Sequence, residues 1–169
     1  MSDDPLTHGS AEAPGPRSGN RRRRMRSAAR LYAVQALYQM EQSRQTVETV
    51  IREFEEFRFG AAYEDGEMEE GDPELFRTLM REAVNWQARI DQMTDRALVA
   101  KWPIGRIDST LRSLFRTAGA ELVGTDTPPR VVIMEFVEVA HSFYPGGREP
   151  KFVNAVLDHM AREARPDAF

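Results

Sequence analysis

Apolar residues recur along most of this chain at helical spacing. Ala29, Ala33, Ala36, Leu37 and Met40 fall at i, i+4, i+7, i+8 and i+11, the pattern of a helix with one buried face, and predict a first helix from about Met25 to Arg44. Val47, Val50, Ile51, Phe54 and Phe57 predict a second that ends near Gly60. Asp72-Pro73-Glu74 combines an acidic cap, a proline whose missing N–H costs nothing there, and negative charge in the first turn. The third helix starts at that point, with Phe76, Leu79, Met80, Ala83, Gln87 and Ile90 inward, and continues through Met93, Ala97 and Leu98 to Trp102-Pro103 with a bend near Asp91. Ile107, Leu111, Leu114, Phe115, Ala118 and Leu122 define a fourth, with Gly124 placed for a left-handed C-cap.

Thr127-Pro128 opens a fifth, apolar on so much of its circumference (Val131, Val132, Ile133, Phe136, Val137, Val139, Ala140, Phe143) that it is expected to be the most buried. Tyr144-Pro-Gly-Gly147 breaks it. A last helix, from about Glu149 to Glu163, turns Val153, Val156, Leu157 and Met160 inward, and the tail after Arg165-Pro166 is expected to fray. No segment sustains period-two alternation, so the expected fold is an all-α, single-domain bundle of about six to seven helices.

Composition adjusts that picture before the first helix and after the second. Residues 1–20 hold Pro5, Pro14, Pro16, Gly9, Gly15 and Gly19 and almost nothing apolar, which predicts a disordered extension before a folded domain over 21–165. From Gly60 to Glu74 there are seven acids and no base, which predicts a mobile acidic loop; no spacing in it matches a calcium site. With no cysteine there is no disulfide framework or thiolate metal site, and a reducing cytoplasm is the natural setting. No apolar run approaches the about 18 residues of a membrane span.

Charge is unevenly distributed. Arg17, Arg21, Arg22, Arg23, Arg24, Arg26 and Arg30 lie within residues 13–40, which contain no acid; taking their seven charges from the net −4 leaves the remainder at −11. Arg23, Arg26 and Arg30 share one side of the predicted helix, about one turn apart, and the other arginines precede them. Cations without local counter-charges, running directly into a docked helix, form a phosphate-binding strip. The competing reading is a solvated tail.

Tyr38 and Phe152 offer stacking platforms for unpaired bases, with Arg148 and Lys151 beside the second; Phe152 lies one step off the inward stripe, and its alternative is an ordinary core position. Nucleotide-binding glycine loops, zinc-protease motifs and nucleophile elbows are all absent from the sequence, so neither catalysis nor a cofactor nor a metal is expected. His159 is read as a boundary histidine, and Glu135, on a helix this apolar, as one half of an ion pair with Arg116.

Ala33-Val-Gln-Ala-Leu-Tyr-Gln39 behind an arginine cluster resembles the opening of the NusB family of transcription antitermination factors. Leu114 to Leu122, Pro129 to Ala140 and Lys151-Phe-Val-Asn-Ala-Val-Leu157 resemble later family segments in the same order, together spanning roughly residues 21–163. Met134, Phe136, Ala120 and Ala155 depart from the family's usual residues.

The resemblance implies a non-enzymatic RNA-binding factor that joins the ribosomal protein NusE, recognises single-stranded boxA RNA in nascent ribosomal transcripts and serves the polymerase antitermination complex. The RNA-binding set it implies is Arg21, Arg22, Arg23, Arg24, Arg26, Arg30, Gln35, Tyr38, Arg148, Lys151 and Phe152, with Arg112, Arg116 and Met134 for the protein partner. Monomer and homodimer both stay open. The same module resembles the RNA-binding part of certain ribosomal RNA cytosine methyltransferases, whose cofactor domain is not expected in a chain of 169 residues. A helical protein adaptor is the remaining alternative.

Overall fold

A computed structural model describes residues 16–60, 62–63, 66–67, 70–101 and 107–169. Among the described residues seven helices run in order: α1 Pro16–Ser43, α2 Val47–Phe57, α3 Pro73–Asn85, α4 Gln87–Lys101, α5 Ser109–Gly124, α6 Pro129–Phe143 and α7 Glu149–Ala164. A 3-10 turn over Pro166–Ala168 follows, and Ala62–Tyr63 pairs antiparallel with Gly66–Glu67. Three starts are capped as their residue types dictate, by Thr46 for α2, Asp72 for α3 and Asp108 for α5; each side chain accepts the backbone N–H three residues on, at 3.2, 3.0 and 2.8 Å.

The all-α expectation holds, with four adjustments. α1 begins at Pro16, nine residues before the expected start, so residues 16–20 are helical; residues 1–15, Trp102 and Pro103 lie outside the described residues. The long third helix is two, α3 and α4, broken at Trp86, whose indole N–H donates to Glu82 at 2.7 Å.

Gly124 does not take the left-handed conformation; Thr125 follows it in extended backbone. The end of α5 is capped instead by Arg165, whose guanidinium donates to the carbonyls of Leu122 (2.7 Å), Thr125 (2.5 Å), Thr127 (2.8 Å) and Glu121 (3.3 Å). A side chain from the far end of the chain thus meets the orphan carbonyls that glycine was expected to serve, and the tail that carries it is anchored at that point.

The central helix is α5, not α6. Ten of its residues are buried against five on α6, and it packs against α1, α3, α4, α6 and α7. Its small residues explain this: Ser113, Thr117, Ala118, Gly119 and Ala120 let neighbours approach, and a Cβ on Gly119 would collide with Ile90. The wider apolar surface of α6 is only partly used, because Val131, Ile133 and Val137 are half-buried and Met134 is exposed.

Candidate nucleic-acid interface

The first helix changes character at Ala29. From there on Ala29, Tyr32, Ala33, Val34, Ala36 and Leu37 are buried, and the alanines let α3 and α5 pack closely. Tyr32 stacks on Phe59 with ring centres 4.8 Å apart. Before Ala29 the helix shows no fully buried residue among those whose burial is described, and Arg21, Arg22, Arg23 and Arg24 are exposed.

Arg30 is not part of the exposed strip. It is 3% exposed and forms a two-bond fork with Glu121 of α5, at 2.8 Å for both bonds, and its other amino group lies 3.5 Å from Glu135 of α6. Desolvation works against its charge, but the hydrogen bonds and field of Glu121, with Glu135 and Asp72 adding to them, outweigh burial and hold its pKa above the ordinary value. The phase of the helix turns this same side toward the body, so Arg26, one turn earlier, lies 3.6 Å from Asp72. The signal in the sequence is Glu121: a lone acid on the most buried helix requires a cation.

The expected pair of Glu135 with Arg116 does not form. Glu135 accepts the Ser27 hydroxyl at 2.8 Å and faces Arg30, while Arg116 makes two 3.0 Å bonds to Asp91 of α4 and lies 3.6 Å from Glu41. Those bonds to Asp91 raise the Arg116 pKa against partial burial.

Farther along α1, exposed Tyr38 (40%) and half-buried Gln35 line a groove of about 330 Å³ with Val34, Thr110 and Phe143. This brings the N-terminal motif against the end of α6. The α6–α7 turn, which carries exposed Arg148 and leads to exposed Lys151, is tied to the start of α5 because the Tyr144 hydroxyl donates to the Asp108 carboxylate, 2.9 and 3.0 Å from its oxygens. Burial and that bond push the Tyr144 pKa upward.

Phe152 departs from expectation: its ring is half-buried and meets Phe115 edge to face, 6.1 Å between centres, packed against the core. It therefore does not stand beside Tyr38 as a second open platform.

The three residues expected to meet a protein partner are divided. Arg112 pairs with Asp95 at 3.3 Å and Arg116 with Asp91, so both face α4. Met134, 60% exposed, instead borders two grooves. One, of about 700 Å³ between α1 and α6, has Ala28, Leu31 and Val139 among its apolar lining, with Arg23 and Arg24 on one wall and Glu135 and Glu138 on the other. The second lies between α6 and α7 beside Ile133 and Val137.

Among the described residues no group of His, Asp or Glu is placed to hold a metal ion, and no helix is long and apolar enough to cross a membrane. His159 is half-buried.

The sequence profile of the NusB family matches residues 27–162, from Ser27 beside the exposed arginines almost to the end of α7. The chain belongs to the NusB family. Proteins named transcription antitermination protein NusB are similar over most of their length: that of Maricaulis maris is 50% identical over 149 residues, 88% of this chain and 92% of the relative. That of Granulibacter bethesdensis is 44% identical over 156 residues (89% and 95%), and that of Caulobacter vibrioides 46% over 149 residues (88% and 99%). The solved structure of T. maritima NusB superposes with a TM-score of 0.63 at 30% identity, over 88% of this chain and 96% of that one. The matched residues include all four segments noted in the sequence.

Proposed function

We propose that this chain serves transcription antitermination as a non-enzymatic factor in the cytoplasm. In this reading it grips single-stranded boxA-type RNA through Arg21–Arg24 and stacks a base on Tyr38. The observation that carries the reading is one continuous helix. Four exposed arginines and an exposed tyrosine share α1, with Arg23 and Tyr38 fifteen residues, or about 22 Å, apart along the axis. Phosphates and bases of one strand need these two kinds of contact, cations for the backbone and an aromatic face for a base. Gln35 beside Tyr38 supplies an amide for a base edge, and Arg148 and Lys151 add charge on the neighbouring turn.

For the protein partner, NusE in this reading, the surface around Met134 is the better candidate. Arg112 and Arg116 are already paired to α4, and an exposed methionine between two apolar-lined grooves suits a protein contact. A gel-shift titration with boxA-type RNA, with and without NusE, tests both halves. Binding that weakens steeply with salt and tightens when NusE is present supports the reading. RNA binding indifferent to salt rejects the arginine surface, and unchanged affinity with NusE rejects the partner.

A further inference from the structure

The first half of α1 is a poor helix on its own terms. It has no acid in its first turn to meet the helix dipole, and it contains Gly19. Arg22 and Arg26 are like charges four residues apart, which repel along the helix surface. Apolar burial does not compensate, since Met25 and Ala28 are only half-buried.

Polar contacts do. The backbone N–H of Asp72 donates to the Met25 carbonyl at 2.9 Å, and the Asp72 carboxylate caps α3 with one oxygen while the other faces Arg26. Glu135 divides its two oxygens between the Ser27 hydroxyl and Arg30, gripping α1 at positions three apart. Glu121 holds Arg30 from below. Three carboxylates, from the α3 cap, α5 and α6, thus meet α1 at residues 25–30, immediately beside the exposed Arg21–Arg24.

We propose that these contacts form a polar clamp, centred on Arg30, that keeps the arginine-bearing arm helical and in place for RNA. Arg30 is a positioning residue: it acts through Arg21–Arg24 and does not touch the ligand. The inference rests on the RNA-binding reading for its effect on affinity, but its structural half is testable without RNA. When the clamp is loosened the arm frays, and RNA must re-order it on binding.

Glu135→Gln is the sharpest variant, because Glu135 lies at the edge of the body, its side chain 22% exposed, and the amide keeps the volume while losing the charge. In the absence of RNA, amide exchange over residues 20–28 is expected to quicken while exchange in α5 stays as in wild type. Affinity for boxA-type RNA is expected to fall by about tenfold, since re-ordering even one frayed residue costs about that much, and the salt dependence is expected to stay unchanged.

Arg30→Met combined with Glu121→Leu replaces the buried pair by apolar side chains, which retains folding and is expected to show the same signature. Arg23→Ala is the contrast: unchanged exchange, and a salt slope lower by about 0.7. Wild-type exchange in Glu135→Gln overturns the clamp, as does tighter RNA binding by that variant, which would make Glu135 merely a repulsive charge. A drop of about 0.7 in the slope of the double variant would put Arg30 on a phosphate and overturn its positioning role. If wild-type protein binds RNA without salt dependence, the RNA-binding reading fails while the exchange result still decides the clamp.

Discussion

The two halves of α1 follow different physics within one helix. From Ala29 onward it is a core element, buried by small and aromatic residues against α3 and α5. Before Ala29 it is a charged arm held to the body chiefly by polar contacts, Met25 and Arg26 to Asp72 and Ser27 to Glu135, with Ala28 packed against the core edge. Apolar burial tolerates no solvent and gives stability, whereas polar attachment leaves the arginines exposed for a ligand at some cost in local order. The lesson is that a surface meant for phosphates cannot be held by the means that hold a core.

Mutations should separate these halves by size of effect. The largest losses belong at and beyond the junction. Tyr32→Ala removes a buried ring stacked on Phe59 and is expected to cost about 3–5 kcal/mol in denaturant unfolding. Arg30→Ala leaves the Glu121 carboxylate buried without its cation and is expected to cost a comparable amount, about 3–5 kcal/mol. If Arg30→Ala instead unfolds like a surface substitution, the buried pair does not describe the protein in solution.

An intermediate effect is expected for Asp72→Ala, which removes the α3 cap and the Arg26 partner together. A loss of about 0.5–2 kcal/mol is expected from the cap, and exchange of the amides near Met25 should rise. The smallest effect belongs to the arm: Arg21→Ala should change stability by no more than about 0.5 kcal/mol while weakening RNA binding. A variant whose RNA affinity falls only in proportion to its stability would erase the distinction between the halves.

How much of this is legible in the sequence depends on how far apart the interacting residues lie. The helices are legible because their apolar spacing and the Asp-Pro start of α3 are local signals; the Thr127-Pro128 start is off by one residue, since α6 begins at Pro129 with Pro128 at its cap and no cap bond from Thr127. The break at Trp86 is not: Ala83 and Ile90 stay seven apart, so the inner stripe runs through it in phase, and no glycine or proline marks the site. The centrality of α5 is hidden because Ser113 and Thr117 look like surface residues; Thr117 satisfies its hydroxyl locally, on the Ser113 carbonyl at 2.8 Å.

Long-range polar pairs are the least legible. Arg30 and Glu121 lie 91 residues apart, and Arg165 reaches carbonyls about 40 residues earlier. At the site, the exposure of Arg21–Arg24 follows from composition, but helical phase alone does not say which side of α1 faces the body. Of the side read from the sequence as the RNA face, Arg26 and Arg30 are turned toward the body while Arg23 stays exposed. Phe152 differs from expectation for a related reason: one step off the main stripe still leaves room for an edge contact with Phe115.

The most direct test is the salt dependence of boxA-type RNA binding by wild-type protein and by an Arg21→Ala, Arg22→Ala, Arg24→Ala triple variant. Each single-strand phosphate that is no longer neutralised should lower the slope of log affinity against log salt by about 0.7, so the slope of the triple variant should fall by about 2 while it melts with the wild-type protein. A triple variant that keeps the wild-type slope and affinity would contradict the claim that the exposed arm of α1 is the RNA-binding surface.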